Sequence, residues 1–86
     1  MNLDLQRMKI NEIDDKLSEL LEDRFLISKE IGTIKKEVGM EIFDKNREKE
    51  IFKAMEEKYK NSEFSEEIIN IFIKIIEESK KVQMRV

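Results

Sequence analysis

An apolar pattern with a seven-residue repeat runs through the chain from Leu3 to Val38. One position of the repeat is filled by Leu3, Ile10, Leu17, Ile31 and Val38, and the other by Ile13, Leu20, Ile27 and Ile34. We call these nine residues the apolar seam. The segment contains no proline, and its one glycine, Gly32, costs a helix only about 1 kcal/mol relative to alanine. The repeat therefore predicts one helix from Leu3 to Val38, about 54 Å long at the α-helical rise.

The rest of the chain predicts two further helices joined by short connections. Gly39 stands where a left-handed residue ends many helices, and Asp44 is a suitable N-cap for a helix from residue 45 to about Lys60. After the polar segment NSEF, Ser65 is expected to cap a third helix that ends at about Arg85. The composition, with 43% charged residues and two glycines, is typical of long helices. We expect residues 1–86 to form a single all-α domain of three helices with a very long first helix.

The predicted first helix is too long to be covered by the rest of one chain. A compact globule of this length has a radius of gyration of about 12 Å, whereas the helix is about 54 Å long. The apolar seam extends along the whole helix, so part of it needs cover from a second chain. An intertwined homodimer is the simplest solution, because closed two-fold pairs are the commonest oligomers. The repeat alone also fits a plain two-stranded coiled coil.

The residue types present exclude several kinds of site. The chain has no cysteine and no histidine, so disulfides, thiolate nucleophiles, Ser-His catalysis and the usual zinc sites are excluded. The net charge is −3 and basic residues alternate with acidic ones, which argues against nucleic acid binding. No apolar segment approaches the roughly 20 residues of a membrane span, and the start, MNLDLQRM, lacks the apolar part of a signal peptide. We expect a cytoplasmic protein that binds neither nucleic acid nor membrane.

One position of the seam pattern is occupied by a charged residue, Arg24. Lys35 lies eleven residues later, close to three helical turns, so both side chains point in the same direction about 16 Å apart. The gap between their charged ends suits a small molecule. Arg7 lies about 25 Å before Arg24 on the same helix, so it can approach Arg24 only from a second, antiparallel chain. Each residue also has a plainer interpretation: Arg24 could extend to solvent or set the helix register, and Arg7 and Lys35 could be surface charges.

The third helix changes character along one face. Phe72, Ile76, Ser79 and Gln83 follow a spacing of three to four residues and therefore share that face. Phe72 and Ile76 are apolar, whereas the side chains of Ser79 and Gln83 can form hydrogen bonds. A buried glutamine needs partners for its amide, which either the backbone or a ligand would provide.

The charged and polar residues that interrupt the apolar pattern, taken together and in their order along the chain, resemble those of the all-helical chorismate mutases. The resemblance is carried by Arg7, IDDKLSELLEDR ending at Arg24, IGTIKK with Lys35, D..RE at 44–48 and IIEES...Q ending at Gln83. It covers the chain from Leu5 to Gln83. Lys45 departs from it, because many members have proline at this position, which affects how the second helix begins and not the chemistry.

The resemblance implies both an activity and a shared site. Such proteins are intertwined homodimers of three-helix chains, and they rearrange chorismate to prephenate, without metal or cofactor, in phenylalanine and tyrosine biosynthesis. By this resemblance Arg24 binds a substrate carboxylate, and Arg7 is contributed to the partner chain's site. Lys35 and Gln83 contact the ether oxygen of the C–O bond that breaks. These four residues are the expected catalytic groups.

The same resemblance assigns substrate-binding roles to five further residues. Asp44 and Glu48 are expected near the ring hydroxyl of the substrate. Arg47 is expected to support the site, Ser79 to contact a carboxylate, and Ile31 to line the pocket.

Two rival functions are also compatible with parts of the sequence. Isochorismate–pyruvate lyases share the fold, but they typically lack the acid and the serine that Glu48 and Ser79 provide here, so these two residues favour the mutase. A non-catalytic helical dimerisation module is the other rival, and it would have no pocket for a small molecule.

Overall fold

The computed structural model describes residues 2–86 and consists of three α-helices: α1 (Leu3–Val38), α2 (Lys45–Tyr59) and α3 (Ser65–Met84). The described residues contain no strand and no helix that is long and apolar enough to cross a membrane. α3 packs against both other helices, whereas α1 and α2 do not pack against each other within this part of the chain. The predicted all-α fold with a very long first helix is confirmed, and α2 and α3 each end one residue earlier than predicted.

Hydrogen bonds at its two ends explain the bounds of α1. Asn2 Oδ1 accepts from the backbone N–H of Leu5 at 3.1 Å. At the other end Gly39 has a φ of 72°, a left-handed conformation that glycine adopts without steric cost. The N–H of Met40 then donates to the Lys35 carbonyl at 2.8 Å and that of Gly39 to the Lys36 carbonyl at 3.4 Å, which is a Schellman motif. The chain therefore turns sharply after α1 into the α1–α2 connection (residues 39–44).

The helix starts agree with prediction at α2 but not at α3. Asp44 caps α2 as predicted, because its Oδ1 accepts from the N–H of Arg47 at 3.0 Å. The predicted Ser65 cap is wrong: Ser65 is the first residue of α3, and Phe64 holds the cap position without a side-chain hydrogen bond. Ser62 holds this turn instead, since its Oγ accepts from the N–H of Phe64 at 3.0 Å and its carbonyl from the N–H of Ser65 at 3.3 Å.

α1 determines the shape of the molecule. The chain measures 56 × 26 × 14 Å and has a radius of gyration of 16.1 Å, compared with about 12 Å for a compact globule of this length. Every described residue up to Leu20 is exposed. The N-terminal half of α1 therefore extends beyond the cover that α2 and α3 provide.

Two different stripes run along α1. The more covered one carries Leu21, Phe25, Ser28 and Gly32, of which the last two are buried. The apolar seam is the other stripe, and its nine side chains are 39–64% exposed. Among the described residues Ile76 on α3 is the only buried hydrophobic residue. A single chain thus has almost no apolar core and leaves a large apolar surface uncovered.

Candidate active site

A cavity of about 270 Å³ lies between α1, α3, the first turns of α2 and the α1–α2 connection. Its wall contains the predicted site residues Arg24, Ile31, Lys35, Asp44, Arg47, Glu48, Ser79 and Gln83. Arg7 is not part of this wall. It lies on the exposed half of α1, about 25 Å along the helix axis from Arg24. The structure thus brings eight of the nine predicted residues together within one chain and leaves Arg7 apart.

Arg24 turns away from the apolar seam and toward α3. Its Nη1 donates to Ser79 Oγ, and that hydroxyl donates in turn to the Ile75 carbonyl at 2.8 Å. Burial of the guanidinium, and then the nearby charge of Arg47, lower the pKa of Arg24 from its ordinary value, although an arginine remains protonated at neutral pH. No carboxylate among the described residues forms an ion pair with Arg24. A partly buried cation without a carboxylate partner is well suited to bind an anion.

Lys35 and Gln83 reach the cavity from α1 and α3. Lys35 Nζ donates to the Ile42 carbonyl at 2.9 Å. Because an ammonium has three N–H donors, this bond fixes the position of the group and leaves two donors free. Gln83 Oε1 is buried and has no hydrogen-bond partner among the described residues, a state that costs about 1–3 kcal/mol. A half-turn of the amide would present its NH2 group instead, so Gln83 is able to donate to a small molecule as well.

The start of α2 supplies the remaining polar groups. Asp44 uses one carboxylate oxygen for the helix cap, and the second oxygen remains available. Arg47 Nη1 lies 3.4 Å from Glu50 Oε2, and both side chains are mostly exposed, so this pair contributes little and holds Arg47 only loosely. Glu48 Oε2 lies 3.3 Å from Lys80 Nζ on α3.

The charges around the cavity do not cancel. The cations that line it are Arg24, Lys35, Arg47 and Lys80, and the carboxylates are Asp44 and Glu48. The cavity therefore carries an excess of two positive charges in a chain whose net charge is −3. The apolar part of the wall is formed by Ile27, Ile31, Ile42, Ile51 and Ile76. This arrangement suits a small dianion that also has an apolar surface.

Sequence reasoning did not identify every polar residue of the wall. Ser28 lines the cavity, and its Oγ donates to the Arg24 carbonyl at 3.0 Å. Its position one turn after Arg24 on the same face was a signal that could have identified it. Lys80 also lines the cavity, but no feature of the sequence separates it from the adjacent Lys81.

Gly32 allows the end of α3 to lie close against α1. A Cβ atom on Gly32 would lie 2.7 Å from the Gln83 carbonyl oxygen, 2.8 Å from Gln83 Cα and 3.0 Å from Val86 Cγ2. Two of these three are backbone atoms, which can move only together with the helix. The sequence alone shows Gly32 as a tolerated weak point in a long helix. In the structure its missing side chain sets how closely the backbone of Gln83 approaches α1.

The fold and the cavity define a class: an all-helical protein with a cavity whose lining carries an excess of positive charge. The sequence matches the model of the chorismate mutase type II family over residues 6–84. A chorismate mutase of Methanocaldococcus jannaschii is 37% identical over 78 residues, which cover 90% of this chain and 79% of that protein. No solved structure gives a match. The chain belongs to the chorismate mutase type II family, and its class of activity is that of an isomerase.

Proposed function

We propose that the cavity is the active site at which this protein rearranges chorismate to prephenate. Membership of the family supports the activity. One observation supports the assignment of the site. A single cavity with an excess of positive charge is lined by eight of the side chains that are expected to contact the substrate. Chorismate has two carboxylates, a ring, an ether oxygen and a ring hydroxyl. One carboxylate, the ring, the ether oxygen and the ring hydroxyl each have a chemically matching side chain in the wall, and the second carboxylate is assigned to Arg7 of a partner chain.

The carboxylates are the groups that arginine can hold most firmly. Chorismate is flexible and reacts only when its side chain folds over its ring, so fixing both carboxylates selects the reactive conformer. Arg24 binds one of them bidentately, and Ser79, which already orients the guanidinium, lies close enough to contribute a second contact. Arg47 adds positive charge that supports binding of the dianion. Arginine suits this task because it stays charged when buried.

Lys35 and Gln83 act on the bond that breaks. Cleavage of the C–O bond runs ahead of C–C bond formation, so negative charge accumulates on the ether oxygen in the transition state. The free N–H groups of Lys35 and the NH2 group of Gln83 donate to this oxygen from fixed positions. Donors that are already in place stabilise the transition state more than the substrate, and this difference is what accelerates the reaction.

The remaining wall residues hold the ring. Asp44 and Glu48, at the start of α2, accept from or lie beside the ring hydroxyl. Ile31 contributes an apolar surface against the ring. The reaction takes place within one molecule and uses only binding and electrostatic stabilisation by these side chains.

The direct test of the activity is the disappearance of chorismate in the presence of purified protein, with prephenate as the product. Isochorismate serves as the second substrate in a parallel assay, because the related lyases act on it. Turnover of chorismate without pyruvate release from isochorismate is the expected result. No turnover of either substrate would contradict the proposal.

Gln83→Glu is expected to convert the enzyme into one that works only at low pH. A protonated carboxyl can donate to the ether oxygen, whereas an ionised carboxylate repels the charge that develops there. Burial raises the pKa of a carboxyl above its ordinary value of about 4.3, so activity should fall as the pH rises through that shifted pKa. The measurement is kcat/KM against pH for the variant and for wild type. A variant profile that matches the wild-type profile would contradict the role of Gln83 as a donor.

Gly32→Ala is expected to reduce turnover more than it reduces stability. The added methyl group costs about 1–3 kcal/mol through overpacking, but alanine returns about 1 kcal/mol through its higher helix propensity. The backbone of Gln83 must move away from α1, which displaces its amide from the reacting oxygen. Steady-state kinetics and thermal melting of the same sample measure the two effects.

Gly39→Ala provides the matched control for Gly32→Ala. A Cβ atom there meets nothing within 4 Å, although its φ of 72° makes alanine strained. It should lower stability by roughly 1–2 kcal/mol while kcat is retained. Equal loss of turnover in the two variants would show that the effect of Gly32→Ala is not specific to the cavity.

The occupant we propose for the exposed apolar seam is a second copy of this chain in an intertwined homodimer. The seam is exposed along the whole of α1, and a single chain has almost no core of its own. Beside Arg24 lies a second, mostly apolar cavity of about 370 Å³, lined by residues of α1 and α3 together with Tyr59. The projecting half of α1 carries further exposed apolar residues, Leu5 and Met8, which could fill such a space on a partner.

An antiparallel pair also accounts for Arg7. Within one chain it lies about 25 Å from Arg24 along the helix, but the Arg7 of a second chain can approach Arg24 when the two first helices run in opposite directions. We propose that it binds the other carboxylate of chorismate. The assignments of residues 1–86 to a single domain and of the protein to the cytoplasm remain predictions.

A further inference from the structure

We propose that Lys80 is a positioning residue, which holds Glu48 and the α1–α2 connection against the cavity. This inference deepens the proposed function and rests on it. Lys80 lies on α3, and its Nζ is 3.3 Å from Glu48 Oε2 at the start of α2. The same Nζ lies 5.0 Å from the centroid of the Phe43 ring in the connection, within the range of a cation–π interaction. One ammonium group therefore joins the three segments that form this side of the cavity.

The Glu48–Lys80 pair differs from the other ion pairs of the described residues. Its two side chains are only 22% and 31% exposed, and it links two helices. Every other pair joins residues three or four positions apart and contains a side chain that is at least 62% exposed. Pairs of that exposed kind contribute little, whereas a partly covered pair is screened less by solvent and salt. Among the ion pairs of the described residues, the Glu48–Lys80 pair is the one best placed to help fix the shape of the site.

Loss of Lys80 has a predictable consequence for substrate binding. The Glu48 carboxylate would stay beside the cavity without its counter-charge and would repel a dianion. The connection would also lose the contact that holds Phe43. Substrate binding should suffer more than the chemical step, because Gln83 lies on α3 and the Lys35 ammonium keeps its own hydrogen bond to the Ile42 carbonyl. We expect Lys80→Met to raise KM by about 5- to 10-fold and to change kcat by less than about 3-fold.

A double-mutant cycle separates this role from direct contact between Lys80 and the substrate. The variants are Lys80→Met, Glu48→Gln and the combination of both, each measured for kcat and KM with chorismate. If Lys80 acts mainly through Glu48, the KM effect of Lys80→Met should shrink to about 2- to 3-fold in the Glu48→Gln background, where only the Phe43 contact and one positive charge at the cavity are still lost. The same loss in both backgrounds would overturn the proposal, as would a Lys80→Met enzyme with wild-type KM.

Two matched variants complete the kinetic test. Lys80→Arg keeps the positive charge and should restore most of the affinity. Lys81→Met removes the adjacent lysine, whose pair with Glu78 lies on the surface and away from the cavity, and it should leave KM unchanged. A loss of affinity in Lys81→Met equal to that in Lys80→Met would attribute the effect to α3 in general and would also overturn the proposal.

Amide hydrogen exchange tests the same inference without any turnover. The backbone N–H of Arg47 donates to Asp44 Oδ1 and that of Glu48 donates to the Asp44 carbonyl, so both report on the junction between the connection and α2. Exchange at these amides should accelerate in Lys80→Met and not in Lys81→Met. Unchanged exchange would reject the positioning role even in an active enzyme. Accelerated exchange in a protein that does not convert chorismate would reject the proposed function and leave the positioning role intact.

Discussion

Replacing Lys35 with alanine will lower kcat by about 10²–10³-fold, the usual cost of removing one donor that stabilises charge in a transition state. The structure shows what holds this donor in place. The Lys35 ammonium is held by the Ile42 carbonyl at 2.9 Å, and the Schellman motif that ends α1 directs the connection back toward it. Steady-state kinetics with chorismate measure the effect, and KM should change much less than kcat.

The fold should survive the loss of Lys35. The variant loses one hydrogen bond worth about 1 kcal/mol, which corresponds to a melting temperature lowered by about 4–8 °C in a domain of this size. Lys36→Ala is the control, since Lys36 is exposed and does not line the cavity; it should keep both kcat and the melting temperature. Retained turnover in Lys35→Ala with an intact fold would remove Lys35 from the chemistry.

The helical architecture could be predicted because its determinants are local. The seven-residue repeat gives the length of α1, and Gly39 and Asp44 mark the ends of the connection through backbone conformation and capping, which depend on near neighbours. The start of α3 was misplaced because the local signal there is ambiguous. Ser62 and Ser65 are chemically equivalent candidates in one short polar segment, and which hydroxyl meets which N–H depends on the path of the turn.

From the pattern of residues alone, a site residue was predictable only where it breaks that pattern. The family resemblance supplied the expected roles of Lys35, Asp44, Arg47 and Glu48. Arg24 stands out because the repeat demands an apolar residue, and Gln83 because it follows Phe72 and Ile76 on one face. Lys80 could not be identified, because a lysine on a helix with many charges carries no signal until α2 lies opposite it. Gly32 has the same limitation, since the backbone it accommodates belongs to a helix about 50 residues later in the chain.

Arg24 has several interpretations in the sequence, and its contacts in the structure favour one of them. The repeat alone leaves open whether the arginine extends to solvent, sets helix register or binds a ligand. The structure shows it directed toward Ser79 on α3, with a pKa lowered by burial and by Arg47. Placing the charged Arg24 guanidinium in this partly buried position costs free energy. Its location beside the cavity therefore favours a role in ligand binding. Its position next to the apolar cavity on the other side also places it where a second chain would arrive.

Mixing inactive Arg7→Ala and inactive Arg24→Ala chains is expected to restore activity. If Arg7 serves the partner's site, a heterodimer has one site with both arginines and one site with neither. Free exchange of chains at equal amounts makes half of the dimers mixed, so about a quarter of wild-type activity should return. The samples are unfolded together, refolded and assayed with chorismate, and each variant refolded alone provides the baseline.

A second mixture shows whether the rescue has the expected geometry. Arg24 and Lys35 line the same cavity of one chain, so Arg24→Ala mixed with Lys35→Ala leaves every site defective and should give no rescue. Arg7→Ala mixed with Lys35→Ala should succeed, because one site of the heterodimer keeps all three residues. Rescue in both mixtures would show that Arg24 and Lys35 do not serve the same site. Rescue in neither would show that Arg7 does not serve the partner's site. Either result would contradict a site built from Arg24 and Lys35 of one chain and Arg7 of the other.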